Sequence, residues 1–118
     1  RVMQYFNNSK GLEYEGGKRM IEEAFEQNYD PEKASKESGL IRIRFIVNCE
    51  GKAGRFRIIG MNGDYEEKEF SENISQQLLS ITKGLKGWKP KTFGSEVMDY
   101  YQYLIFKIEN GHIIKILP

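Results

Sequence analysis

The hydrophobic pattern is clearest across residues 39–60, where apolar and polar side chains alternate along two stretches separated by a short polar turn. The first stretch sets Ile41, Ile43, Phe45 and Val47 against Arg42, Arg44 and Ile46, and the second sets Phe56 and Ile58 against Arg55 and Arg57. A period of two places one face on a core and the other toward water. The turn at residues 48–52 contains Gly51, which tolerates positive φ. This pattern predicts a β-hairpin that the rest of the chain covers.

Two other stretches carry apolar residues at intervals of three and four, which is typical of amphipathic helices. The first stripe follows Gly16-Gly17 and consists of Met20, Ile21, Ala24, Phe25 and Tyr29; the second consists of Phe70, Ile74, Leu78, Ile81 and Leu85. Asp30-Pro31 predicts a short helical turn that ends at Gly39. Asp64 and Glu67 resemble a capping box, which predicts that the second helix starts nearby. We expect both helices to pack on one face of the sheet.

A second hairpin is predicted near the end of the sequence. Residues 97–108 alternate, with Leu104, Phe106 and Ile108 on one face and Tyr101, Tyr103, Ile105 and Lys107 on the other. Asn110-Gly111 is a strong signal for a tight turn, after which residues 113–117 can pair back. Residues 91–96 are predicted to form a polar loop and residues 1–15 a lead-in segment. The sequence therefore predicts one α+β domain at residues 16–118, an antiparallel sheet of about four strands with two helices packed on one face.

Composition and charge narrow the function classes. The chain has 118 residues, 30% of them charged, with a net charge of +1, which argues against a nucleic-acid or membrane-surface binder. The predicted sheet carries a stripe of arginines that could bind phosphates or acidic peptide: Arg42, Arg44, Arg55 and Arg57. Glutamates that could neutralise this stripe follow at Glu66, Glu67, Glu69 and Glu72. We therefore expect no nucleic-acid partner.

Residues that carry chemistry are sparse. Cys49 and His112 are the only cysteine and histidine, and they fall on different predicted turns with no assigned base or carboxylate. The sequence thus predicts no enzyme activity, no cofactor and no metal site. No apolar run reaches the roughly twenty residues of a membrane helix, so this fragment is expected to make no membrane contact. The chain begins at Arg1 without a signal-peptide pattern, and we expect it to be part of a longer protein.

From about Tyr14 onward, a series of motifs follows a recognisable order. The motifs are Tyr14 just before Gly16-Gly17, a helix, Gly39 before an alternating strand, Val47 and Gly51 in the turn, and an amphipathic helix running into Trp88-Lys89-Pro90. In order and spacing they resemble the C-terminal domain of TonB-type energy transducers, in the form common in the Bacteroidetes. Glu15 departs from the family's proline before the glycine pair, and the strand after Asn110-Gly111 is an addition. We interpret the signature residues Gly16, Gly17, Gly39, Gly51, Trp88 and Pro90 as structural.

The resemblance implies a non-catalytic, periplasmic or cell-envelope protein-binding domain. Such a domain binds an extended peptide of an outer-membrane receptor or another envelope protein by strand addition. The residues expected to contact the partner are Tyr101, Tyr103, Ile105 and Lys107. Two alternatives stay open: a small envelope enzyme or enzyme inhibitor, and a self-associating structural module of a lipoprotein that pairs as a homodimer. The added terminal strand is predicted to cover the edge that the family uses, so deleting residues 110–118 should increase peptide capture.

Overall fold

The computed structural model describes residues 2–4 and 13–118 and has an α+β fold. Its elements in chain order are β1 (Val2–Gln4), α1 (Lys18–Asn28), a 3₁₀ turn (Pro31–Lys33), β2 (Gly39–Val47), β3 (Ala53–Met61), α2 (Glu72–Gly84), β4 (Lys91–Phe93), β5 (Glu96–Glu109) and β6 (His112–Leu117). The predicted fold class is confirmed. Four longer strands, β2, β3, β5 and β6, form the antiparallel sheet that the alternation predicts.

The long strand β5 lies at the centre of the sheet. One of its edges pairs with β2 along residues 100–108, and β2 in turn pairs with β3. Since β2 occupies that edge, β1 at residues 99–101 and β6 at residues 105–109 must pair with the opposite edge. The strand β3 forms one border of the sheet and β6 lies toward the other.

The core lies between the two helices and one face of the sheet. The stripe of α1 buries Ile21 and Phe25, and that of α2 buries Ile74 and Leu78. They meet the inward side chains of the central strands, among them Ile41, Ile43, Phe45, Leu104, Phe106 and Ile108. The Phe25 and Phe106 rings lie 4.8 Å apart, between centroids. Alternation in the strands and the helical stripes therefore produce one common core. Residues 2–4 and 13–118 place no helix on the opposite face, which we call the helix-free face.

Two short strands are additions to the predicted pattern. Residues 91–93, expected in a polar loop, form β4, which turns through Gly94-Ser95 and pairs with the start of β5. In the predicted lead-in segment, Val2–Gln4 form β1 and run parallel to β5. Glu13 and Glu15 hydrogen-bond through their main chains to residues 87–89. Residues 1 and 5–12 of the lead-in lie outside the described residues.

The predicted capping box at Asp64 and Glu67 is wrong. The carboxamide oxygen of Asn62 accepts hydrogen bonds from the amides of Asp64 (2.9 Å) and Glu66 (3.0 Å), so these residues form a closed turn and not a helix start. The helix α2 begins only at Glu72, with Ser71 as its N-cap. The 3₁₀ turn is confirmed, because the carboxylate of Asp30 accepts the amide of Glu32 at 2.9 Å.

Candidate functional site

The four residues predicted to contact a partner lie on the helix-free face of β5. Tyr101, Tyr103 and Ile105 are half-buried and Lys107 is exposed. Their strand is not at a border of the sheet, because β2 lies on one side and β1 and β6 on the other. The pairing of β6 with residues 105–109 confirms the predicted terminal strand. The main chain of β5 beside Ile105 and Lys107 is therefore already paired, and a peptide cannot add there.

Three of the residues interpreted as structural, Gly51, Trp88 and Pro90, adjoin one another at one end of the sheet. The Trp88 ring packs on Phe45, with 5.1 Å between centroids, and on Tyr14 at 4.8 Å. Gly51 has φ +80°, and a side chain there would come within 2.7 Å of the Trp88 carbonyl oxygen. The Trp88 ring contacts close the core beneath the β2–β3 turn. Pro90 lies next to Gly51 in this turn. Gly16 and Gly17 precede α1, and Gly39 opens β2. Each has a structural place in the fold.

The strand β6 presents an open main-chain edge beside helix α1. No described strand pairs with its outer edge. Between β6 and α1 lies a groove of about 370 Å³, which we call the α1–β6 groove. It is lined by residues of α1, of its C-terminal end and of β6, among them Glu22, Phe25, Glu26, Tyr29, Lys115 and Ile116. An edge strand facing a helix across a groove is a geometry that accepts an added strand.

The walls of the α1–β6 groove differ in polarity. Glu22 and Glu26 stand on the helix side, and His112 and Lys115 on the strand side. Between them, Phe25 is buried and Ile114 is 48% exposed. Ile114 occupies a bulge, since residues 115 and 113 of β6 face the consecutive residues 107 and 108 of β5. The groove thus offers an apolar floor between two acidic side chains and two basic ones.

The α1–β6 groove is fixed in place by contacts between segments far apart in sequence. The Tyr29 hydroxyl donates to the Gly111 carbonyl at 2.7 Å, and burial raises the pKa of this hydroxyl. The Gly111 amide donates to the Glu37 carbonyl at 2.9 Å, and the Asn110 amide to the Ser38 hydroxyl at 3.0 Å. The β5–β6 turn is therefore tied to the end of α1 and to the segment before β2.

A further tie joins that segment to α2. The Glu37 carboxylate accepts the Ser71 amide at 3.1 Å and also the Ser71 hydroxyl. The side-chain hydrogen bond from Ser71 lowers the pKa of Glu37, and the nearby Lys68 adds to this effect. A carboxylate at the first turn of a helix is also favoured by the helix dipole. The same segment that holds the β5–β6 turn thus caps α2.

The predicted arginine stripe lies on the helix-free face of the sheet. Arg44 of β2 stands directly opposite Arg57 of β3 and opposite Tyr103 of β5. The Arg44 guanidinium lies 5.1 Å from the centroid of the Tyr101 ring, a cation–π contact. The glutamates expected to neutralise this stripe do not pair with it: the three ion pairs among the described residues join other side chains.

Cys49 and His112 lie at opposite ends of the sheet. The Cys49 amide donates to the Asp99 carboxylate near the start of β5, and His112 pairs with Glu109 at its end. At about 3.3 Å per residue, these ends of β5 are roughly 30 Å apart. The two side chains therefore share no cleft. Among the described residues, no three His, Cys, Asp or Glu side chains are grouped so as to hold a metal ion.

The helices of the described part of the chain are short, and neither has the length and apolarity needed to cross a membrane. Comparisons with protein-family models, with curated proteins and with solved structures found no match to this chain.

The sequence did not predict the α1–β6 groove. Phe25 was expected in the core, and Glu22 and Glu26 on the polar side of the helix. Their spacing places Glu22 and Glu26 one turn apart on the same side of the helix, next to Phe25. It carries no sign that β6, about ninety residues later in the chain, lies beside them. The Asn110-Gly111 turn is the sequence signal that bears on the groove, because it determines the register of β6 against β5.

Proposed function

We propose that this chain is a non-catalytic protein-binding domain of the cell envelope, which captures an extended peptide by strand addition at the outer edge of β6. The partner is a segment of an outer-membrane receptor or of another envelope protein. The proposal rests on the outer edge of β6 beside the α1–β6 groove, with which none of the described strands pairs. The resemblance of the motif order to the TonB C-terminal domain supports the envelope location and the class of partner.

The main chain of β6 would supply the affinity and the groove would supply the selection. An edge strand leaves alternate amides and carbonyls unpaired, and an added strand satisfies them. Every second side chain of the added peptide then points toward α1. There it would meet Phe25 at the floor, with Glu22 and Glu26 beside it. The groove therefore favours a peptide that carries both apolar and basic residues on the face turned toward α1.

The β6 edge is a better acceptor than β3, the other border of the sheet. At β3 the Lys68 amide donates to the Gly60 carbonyl at 2.9 Å, and Met61 bridges to Glu67, so part of that edge is already paired. The rest of β3 contains an irregularity opposite residues 44–46 of β2. The terminal strand β6 covers the edge of β5 at residues 105–109 and presents its own outer edge in its place.

The test uses a labelled extended peptide with valine and lysine in turn along one face and threonine along the other, and binding is followed by fluorescence anisotropy. Two versions carry N-methyl groups on alternate residues, one version for each edge of the peptide. Strand addition predicts that one version binds as well as the parent and that the other loses at least about tenfold in affinity, because only one peptide edge donates to β6. Equal binding of both N-methylated versions would contradict the proposal.

A pair of charge reversals locates the edge that is used. Glu26→Lys places a cation in the α1–β6 groove, whereas Glu69→Lys places one beside the β3 edge. We expect Glu26→Lys to weaken binding of the basic peptide by about tenfold and Glu69→Lys to leave it within twofold. The reverse result would move the site to β3. Sedimentation of the unliganded chain tests the alternative of self-pairing, which predicts a dimer that the peptide dissociates.

A further inference from the structure

The helix-free face of the sheet carries positive charges that the described residues do not neutralise. The arginine–tyrosine face consists of Arg42 and Arg44 on β2, Arg57 on β3, and Tyr101 and Tyr103 on β5. Arg44 and Arg57 are directly opposite each other, an arrangement of like charges that destabilises a sheet. No ion pair relieves it, since the three among the described residues lie elsewhere. An anion from outside the chain would remove this repulsion.

A further arginine lies at the same place, at a bulge in β3. Between the pairs Arg44–Arg57 and Ile46–Gly54, β3 has one residue more than β2, and Arg55 takes the left-handed conformation with φ +54°. Arg55 lines one shallow depression together with Arg44, Arg57 and Tyr101. Three arginine side chains and one tyrosine thus line a single depression.

We propose that the arginine–tyrosine face is a second binding site, which takes an acidic extended segment of a partner protein. Guanidinium groups bind carboxylates through paired hydrogen bonds of fixed geometry. Between the arginines lie the half-buried side chains of Ile46, Ile59 and Ile105, which can contact apolar residues of the same segment. A protein segment offers both carboxylates and apolar groups.

This second site differs from the α1–β6 groove in position and in charge. It lies on the face where the described residues form no helix, and its arginines, three of which line the depression, select acidic ligands. The groove lies at the β6 edge, where Glu22 and Glu26 favour basic residues. The second site does not depend on the proposed strand addition.

The surroundings of the arginine–tyrosine face favour a short acidic segment over a nucleic acid. Asp99 lies two residues before Tyr101 on β5, and Glu67 bridges to Met61 at the end of β3. A long polyanion would extend from the arginines onto these carboxylates. The net charge of +1 likewise lacks the excess of basic residues typical of nucleic-acid binding proteins.

The test measures anisotropy of a short labelled peptide in which glutamate alternates with leucine and serine. The double variant Arg44→Gln/Arg57→Gln should bind it at least about tenfold more weakly, and affinity for the unmodified chain should fall as salt is raised. The matched control is Arg19→Gln/Lys33→Gln, which removes the same charge at two exposed positions on α1 and the 3₁₀ turn. We expect this control to bind within twofold of the unmodified chain.

Three results would overturn the proposal. The double variant could bind the acidic peptide as tightly as the unmodified chain does, or the control variant could lose as much affinity as the double variant. The unmodified chain could also bind a peptide with glutamine in place of glutamate as tightly as the acidic peptide. Tighter binding of single-stranded oligothymidylate than of the acidic peptide would assign the face to nucleic acid. Thermal unfolding of Arg57→Gln is an independent measurement. Because this variant removes the repulsion with Arg44, its melting temperature should equal or exceed that of the unmodified chain, and a lower value would contradict the argument.

Discussion

Replacing Tyr29 with Phe should loosen the contact that holds the β5–β6 turn against α1. The substitution keeps the ring, which is 9% exposed, and removes the hydroxyl that donates to the Gly111 carbonyl at 2.7 Å. A hydrogen bond of this kind contributes about 1 kcal/mol, and leaving a buried carbonyl without a partner raises the loss to as much as about 3 kcal/mol. For a chain of this size, we expect a fall in melting temperature of roughly 4 °C per kcal/mol.

Urea unfolding can measure this loss through the fluorescence of Trp88, the sole tryptophan, which is 4% exposed. The control is Tyr65→Phe, because Tyr65 is 75% exposed and removing its hydroxyl should change the free energy of unfolding by less than about 0.5 kcal/mol. If the two variants lost the same stability, the Tyr29 hydrogen bond would not hold the turn, and the account of the α1–β6 groove as a fixed site would fail.

The same side chain predicts a dependence on alkaline pH. Burial raises the pKa of Tyr29 in the folded chain. As the pH rises past the ordinary tyrosine value, the unfolded chain loses this proton first, so the contribution of Tyr29 to the free energy of unfolding is present below that value and lost above it. The Tyr29→Phe variant lacks this contribution. Its deficit relative to the unmodified chain should therefore shrink at high pH, and a constant deficit would exclude the linkage.

Two further predictions concern α2. Leu78→Ala should lower the free energy of unfolding by about 2–5 kcal/mol, because Leu78 is completely buried beneath the sheet. The control Gln76→Ala, on the exposed side of α2, should have little effect. Equal losses of stability in urea unfolding would show that the Leu78 side of α2 is not the side packed on the sheet. Glu37→Gln should be destabilising near neutral pH, because the bond from Ser71 lowers the Glu37 pKa and its contribution is present above the ordinary glutamate value and lost as pH falls through the lowered one. The difference from the unmodified chain should disappear in acid, and a difference of the same size in acid would contradict this role of the Ser71 bond.

The sequence predicted those strands in which apolar and polar residues alternate over enough positions to show a period of two. The β2–β3 hairpin and β5 have long alternating stretches, and Asn110-Gly111 specifies the return of β6. The short strands β1 and β4 have three residues each, which is too few to show a period. Their pairing is determined by the long neighbour β5 and not by their own pattern.

The start of α2 and the two binding sites could not be predicted from the local sequence pattern. Asp64 has the residue type of a helix cap, but the side chain of Asn62 binds its amide and closes a turn first. The alternation predicted the arginine stripe and the tyrosine face separately, but it did not predict that Arg44 would contact Tyr101. Nor did it predict that the glutamates would form no ion pair with the stripe. Such outcomes depend on contacts between distant segments, and a single sequence records only local preferences.

The central position of β5 also determines how the molecule would respond to mechanical load. Hydrogen bonds between antiparallel strands lie perpendicular to the strand axis, so a pull along β6 shears its five register pairs with β5 all at once, whereas a sideways pull opens them one by one. From β5, the load passes to β2 through nine register pairs. The β5–β6 ladder is the shorter of the two and would rupture first, so a tethered partner would tear β6 away while β2, β3 and β5 stayed joined.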